Sequence, residues 1–144
     1  MANTSTLETL AQTTFDSIEG YRKAAAQAKS PHLQSALQDR AQKREATLQK
    51  LNAELEKHGT ARVTSGSATG GLHRIWTDIT GLFEKGDEAA AERVEEGEDY
   101  IKDKFEEALK DTDLDQSQRL VIEQCFGEIR EGERFGDMIE KQYD

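Results

Sequence analysis

Apolar residues recur every three to four positions along four long segments of this chain, which is the spacing that one face of an α-helix requires. Helix-start patterns precede three of these segments: Ser5 with Glu8, Ser30 with Pro31, and Asp115 with Gln118. Asp87, after Gly86, is the expected N-cap of the remaining one. The pattern predicts long helices at residues 6–29, 31–58, 87–110 and 116–142.

A shorter apolar pattern lies between the second and third long helices. Residues 59–68 have the composition of a loop, and the next residues predict an amphipathic helix at 70–83 with one apolar face. A connection of roughly 30 residues is long for a loop, but it is natural for a crossover between the two ends of a bundle. We expect an all-α fold with a single domain over residues 1–144, built from two antiparallel helical hairpins joined by this crossover.

Charge narrows the classes of partner. The chain of 144 residues has 19 Lys+Arg against 29 Asp+Glu, a formal net charge of −10. A surface this acidic argues against nucleic acid as a partner and against anionic membranes. No apolar run approaches the roughly 18 residues that a membrane span needs, and the opening MANTSTLETL does not have the pattern of a secretory signal.

Cys125 is the only cysteine, so it cannot form a disulfide within the chain. This favours a reducing compartment, which in a bacterium is the cytoplasm. Cys125 falls on the apolar stripe of the last helix, where two readings stay open: a small buried side chain, which we favour, or a reactive thiol.

Three charged residues stand near the middle of the apolar stripes: Arg44, Glu98 and Glu128. In a four-helix bundle these positions fall at about the same height, where di-iron bundle enzymes hold their metals. A guanidinium stays protonated and offers five donors, enough to engage two carboxylates. We predict a buried Arg44–Glu98–Glu128 cluster, with Arg22 and Arg40 as helpers on the stripe edges.

Two alternatives stay open for these charges. The side chains could extend to solvent from a loosely packed bundle, or they could bind iron or another divalent metal. A ferritin-like di-metal centre needs Glu-x-x-His on two helices, and this chain has none. If a metal is bound, its ligands are expected to be Glu98, Glu128 and Glu19, although Glu19 lies off the apolar face of its helix. No other cofactor is expected.

Two glycines, Gly132 and Gly136, fall on the inward face of the last predicted helix. Each lowers helix propensity by about 1 kcal/mol relative to Ala. We expect them to allow a close backbone approach or to leave room for a bulky side chain such as Trp76. The alternative is a weak, slightly bent helix.

Several motifs resemble a known bacterial family. The stretch GSATGGLHRIW at residues 66–76 and the stretch EGEDY at 96–100 resemble a ferritin-like family of four-helix-bundle domains of unknown function, the 2383 type. The segment LETLAQTTFDSIEGYRKAAA is similar to its first helix. The resemblance covers nearly the whole chain and implies a ferritin-like bundle with a link to stress response. Such proteins often have a His-Asp pair in the last helix, where this chain has Glu133 and Arg134.

Three functions compete. The sequence lacks a Gly-rich phosphate loop with a Lys and a Ser-His-Asp arrangement, which favours a non-catalytic bundle protein acting as a homodimer or with a protein partner. A ferritin-like metal-binding or iron-oxidising protein is the alternative, and a peripheral membrane protein that inserts the short helix is the third. The short helix could be a contact surface, formed by Leu72, Ile75, Trp76, Ile79 and Phe83. We favour the other reading, in which it covers the bundle's own core.

Overall fold

The computed structural model describes residues 3–66, 70–76 and 86–143 of the chain. Every regular element within these ranges is an α-helix, so the all-α prediction is confirmed. The helices are α1 (Ser5–Gln27), α2 (Pro31–Lys57), α3 (Gly71–Trp76), α4 (Asp87–Leu109) and α5 (Gln116–Gln142). The predicted long helices agree with these bounds within two residues, and the part of the predicted short helix after Trp76 lies outside the described residues.

Side-chain caps explain where two of the helices begin. Ser30 Oγ accepts a hydrogen bond from the N–H of Leu33 at 3.3 Å, with Pro31 in the first helical position. Asp115 Oδ1 accepts from the N–H of Gln118 at 2.7 Å. Both of these predicted starts are confirmed.

The other two predicted caps are wrong. Helix α1 already includes Ser5, and its N-cap is Thr4, which makes no side-chain cap bond. Helix α4 has Gly86 as its N-cap, at a φ of 116° that favours glycine. The Asp87 carboxylate instead accepts hydrogen bonds from the backbone N–H groups of Lys29 at 3.2 Å and Ser30 at 3.1 Å. It therefore ties the start of α4 to the turn between α1 and α2.

The four long helices contact one another in a closed order: α1 with α2, α2 with α5, α5 with α4, and α4 with α1. The connections at residues 28–30 and 110–115 are short, so α1–α2 and α4–α5 form the two hairpins. Helix α3 packs against α1 and α4. Among the described residues, no helix is both long enough and apolar enough to cross a bilayer.

The apolar core has two parts, separated along the helices. One part includes Leu33, Leu37 and Ala41 of α2, and the other includes Leu51 and Leu55 of the same helix. Leu48 packs against the second part, so the segment of α2 between Ala41 and Leu48 crosses a layer that neither apolar cluster fills. Arg44 lies in this segment.

Trp76 is buried, but not against the glycines that the sequence suggested. A Cβ atom on Gly20 would lie 2.3 Å from the Trp76 ring, and a Cβ on Gly97 would lie 2.9 Å from it. Glycines of α1 and α4, and not Gly132 or Gly136 of α5, therefore make the space for this indole. The reason is that α3 lies over the α1–α4 side of the molecule, away from α5.

The described part of the short helix covers the chain's own interior. Leu72 is 1% exposed and Trp76 is 3% exposed, and the partly buried Ile75 packs against the same apolar cluster. This burial agrees with the reading that we favoured, and it leaves Leu72 and Trp76 unavailable as the alternative contact surface for a partner or a membrane. Ile79 and Phe83 lie outside the described residues.

Candidate functional site: an internal ion-pair cluster

The layer between the two apolar clusters holds polar side chains from all four long helices. Arg44 comes from α2, Glu98 from α4, Glu128 from α5 and Tyr21 from α1. Each stands well inside its helix, so the helical backbones fix their height along the molecule. Arg44 and Glu98 have no exposed surface, and the Glu128 side chain is 15% exposed.

All five N–H groups of Arg44 have acceptors. Nη1 donates to Glu98 Oε1 at 2.9 Å and to Ser17 Oγ at 2.7 Å. Nη2 donates to Glu98 Oε2 at 2.9 Å and to Glu128 Oε2 at 3.1 Å. Nε donates to Glu128 Oε1 at 2.9 Å. A guanidinium has five donors, so this one is saturated, with a bidentate fork on Glu98.

The two carboxylates have further donors. The Tyr21 hydroxyl donates to Glu98 Oε1 at 2.7 Å, and Thr47 Oγ1 donates to Glu128 Oε1 at 2.7 Å. The Arg40 guanidinium pairs with the Glu128 carboxylate and also donates to the Glu128 backbone carbonyl at 3.2 Å. Arg40 is 5% exposed, so two arginines balance two glutamates inside the fold.

Electrostatics keep Glu128 and Arg44 charged and Tyr21 neutral, which are the forms that their hydrogen bonds require. Burial alone would raise the pKa of Glu128, but the charge of Arg44 and the hydrogen bonds to the carboxylate hold this pKa below its ordinary value. Burial opposes the charge on Arg44, yet the two glutamates raise its pKa well above the ordinary range. Burial and the neighbouring Glu98 raise the pKa of Tyr21, so its phenol stays a donor.

Gly132 makes room for the cluster on α5. A Cβ atom at this position would lie 2.0 Å from Glu98 Oε2 and 2.2 Å from Arg44 Nη2. At Gly136 a Cβ would lie 3.2 Å from the Cα of Glu95. A close backbone approach, the first of the two predicted arrangements, is therefore present at Gly136. Gly132 instead leaves room for side chains, and these belong to the ion pair and not to Trp76.

Arg22 does not belong to the cluster, which corrects its predicted role as a helper. Its side chain is 61% exposed and pairs with Glu45 on the outside of α2. The next residue after Tyr21 is turned by about 100° on the helix, and this carries it out of the interior. Glu19 is likewise exposed. In α5, Glu133 is half-buried and Arg134 is exposed.

Ser17, Tyr21 and Thr47 are members that the sequence did not identify. Tyr21 also belongs to an apolar cluster, and Ser17 lies one turn before it on α1. Thr47 lies three residues after Arg44, on the same face of α2. Helical spacing could have identified them, because a polar residue three or four positions from a buried residue lies on the same face of the helix.

The model of a family described as a domain of unknown function, DUF2383, matches residues 2–111. This chain belongs to the DUF2383 family. The matched region includes α1, α2, α3 and α4, and hence Arg44 and Glu98, whereas Glu128 and Gly132 of α5 lie beyond it. No curated protein and no solved structure shows significant similarity to the chain.

The cluster of this DUF2383 protein is built for pairing and has little capacity for proton transfer. Each charged group in it already has an opposite charge in contact, and the Arg44 donors are fully used. Among the described residues, one set of His and carboxylate side chains is close enough to share an ion, and it lies at the end of α2 instead.

Cys125 lies next to this layer as a small buried side chain. It is 1% exposed, and its Sγ lies 3.9 Å from the backbone carbonyl oxygen of Thr47. Burial raises the pKa of the thiol to about 11, so little thiolate forms at neutral pH. The burial agrees with the reading we favoured and argues against a reactive thiol.

Proposed function

We propose that this protein is a non-catalytic ferritin-like four-helix bundle in which the ion-pair cluster takes the place of a di-metal centre. The saturation of Arg44 is the observation that carries the proposal. Its guanidinium bonds both inward carboxylates, the groups that a metal would need as ligands. Two observations support the ferritin-like reading. The four long helices contact one another in a closed order, and one polar residue from each of them meets at one height.

A metal at this centre would have to compete with two fixed guanidinium groups. Arg44 and Arg40 both contact Glu128, and a cation placed between them would meet strong repulsion. The third ligand expected of a metal site, Glu19, is exposed on α1 and does not complete a coordination shell. This arrangement favours a role of the cluster in stabilising the fold over a role in binding a metal.

A bundle with a saturated interior can act only through its outer surface. We propose that it works through protein contacts, as a homodimer or with a protein partner, in the cytoplasm of a bacterium. The resemblance noted in the sequence adds stress response as the expected setting. Sedimentation of the purified protein tests the homodimer, which a monomer at all concentrations would exclude.

Iron loading tests the cluster. Protein purified without chelator is exposed to Fe²⁺ in air and desalted, and its iron content is compared with that of Glu98→Gln. We expect the two proteins to retain the same iron and to show no iron-dependent oxygen consumption above buffer. Two tightly held iron ions per chain that Glu98→Gln fails to retain would overturn the proposal in favour of a ferritin-like iron oxidase.

A further inference from the structure

A second group of ionisable side chains lies far from the ion-pair cluster, where α2 ends and α5 begins. Glu54 lies in the last turn of α2 and His58, four residues later, is the C-cap, so the two side chains lie on the same side of the helix end. Asp115 is the N-cap of α5 and faces them. One imidazole and two carboxylates from two helices therefore meet at this end of the molecule.

The three ligand atoms lie close enough together to contact one metal ion. His58 Nε2 lies 2.8 Å from Glu54 Oε2 and 3.7 Å from Asp115 Oδ2. All three atoms lie within 4.8 Å of one another. Ligands bonded at about 2.0–2.1 Å in a tetrahedral site are about 3.4 Å apart, so the two distances to His58 Nε2 lie on either side of that value.

The carboxylates are held for this geometry by neighbouring groups. Asp115 uses Oδ1 to cap α5, which leaves Oδ2 turned towards His58. Ser117 Oγ donates to Glu54 Oε2 at 2.5 Å. Hydrogen bonds of this kind orient metal ligands in known sites. The Glu54 side chain is only 1% exposed, which is uncommon for a glutamate so near the end of a helix.

We propose that Glu54, His58 and Asp115 bind one divalent transition-metal ion, of the Zn²⁺ type. An imidazole ligand favours such an ion over Mg²⁺ or Ca²⁺, which prefer oxygen ligands alone. Two carboxylates balance the charge of the ion. His58 is 18% exposed and Asp115 is 39% exposed, so water can reach the remaining coordination positions.

A bound ion would join the C-terminal end of α2 to the N-terminal end of α5 and so stabilise the fold. The competing arrangement is an ion pair in which a protonated His58 bridges the two carboxylates. Lys57 could also neutralise Glu54, since its Nζ lies 3.4 Å from Glu54 Oε1. Its side chain is 68% exposed, however, so burial does not hold it in place. If the metal-free ion pair is the correct arrangement, added Zn²⁺ should not change the stability of the protein.

Calorimetric titration of the full, chelator-stripped chain with ZnCl2 tests the proposal. We expect one Zn²⁺ per chain and a rise in Tm on binding. His58→Ala should weaken binding by about 10-fold or more, and His32→Ala, at an exposed histidine near the opposite end of α2, should leave it unchanged. Asp115→Asn is the second variant, because asparagine retains the N-cap while removing the charged ligand.

Two outcomes would overturn the proposal. One is the absence of both binding heat and a Tm rise in the unmodified protein. The other is equal Zn²⁺ affinity in the unmodified protein and in Asp115→Asn or His58→Ala. Visible absorption of bound Co²⁺ adds a measurement that needs no variant, since an imidazole-containing site of low coordination number gives intense bands. Neither result bears on iron at the ion-pair cluster, so this proposal and the proposed function fail separately.

Discussion

Replacing Gly132 by alanine should destabilise this protein, although the same substitution usually strengthens a helix. The added Cβ atom would lie 2.0 Å from Glu98 Oε2 and 2.2 Å from Arg44 Nη2, whereas ordinary contacts begin near 3.4 Å. The buried ion pair must therefore move by about 1.4 Å in a closely packed interior. Both side chains are fully buried, so neither can shift into solvent while keeping its hydrogen bonds.

The size of the effect follows from three contributions. Overpacking a well-packed core costs about 1–3 kcal/mol. Disturbing a buried salt bridge adds to this, with a loss of about 3–5 kcal/mol as the limit when a partner is removed. The gain in helix propensity from Gly to Ala offsets about 1 kcal/mol. We expect Gly132→Ala to lower the free energy of unfolding by about 2–4 kcal/mol.

Gly127→Ala is the matched control. Gly127 is an exposed residue of the same helix, and a Cβ there would have no atom within 4 Å. This variant should gain up to about 1 kcal/mol. Urea unfolding followed by far-UV circular dichroism measures both variants. Equal stability of Gly132→Ala and Gly127→Ala would refute the packing of α5 against the ion pair.

Three further predictions concern stability and reactivity. Arg44→Leu should lower the free energy of unfolding at neutral pH by about 3–5 kcal/mol. The loss should become smaller towards pH 5, because the carboxylates left unpaired can then be protonated. A loss that does not depend on pH in urea unfolding would contradict this. Burial and the neighbouring Asp99 raise the pKa of Glu95 from 4.5 to about 8, which disfavours its ionised form in the folded state. Stability should therefore fall as pH rises from 4.5 to 8, and thermal unfolding should show a weaker fall for Glu95→Gln than for the exposed control Glu123→Gln. Cys125 should react with a thiol reagent only in denaturant, and rapid modification of the native protein would show that its burial is wrong.

The sequence alone was sufficient to predict that Arg44, Glu98 and Glu128 lie together. A charged residue in the middle of an apolar stripe has little choice of direction, because the stripe faces the interior. The position of a residue within its helix then sets its height along the bundle axis, and the three charged residues were predicted at the same height. Arg22 was misassigned because it lies at the edge of a stripe, where a small rotation of the helix decides between interior and solvent.

The glycines show what the sequence could not determine. Gly132 was expected to face a close neighbour, and it does, but Trp76 was a suggested neighbour and the ion pair is the actual one. Which side chain meets a helical glycine depends on the relative rotation and axial shift of two helices. It also depends here on which side of the molecule α3 covers. Neither quantity is encoded in the periodicity of a single segment.

Arg40 completes the physical account of the cluster. Arg44 with two glutamates would leave a net negative charge in an interior where unbalanced charge is costly. Arg40 lies one turn before Arg44 on α2 and pairs with Glu128, so the four charges of the cluster sum to zero. Because Glu128 bonds both arginines and Thr47, sliding α5 by one turn, about 5.4 Å, would break every one of these bonds. The charged layer therefore disfavours a shifted register of α5 against α2.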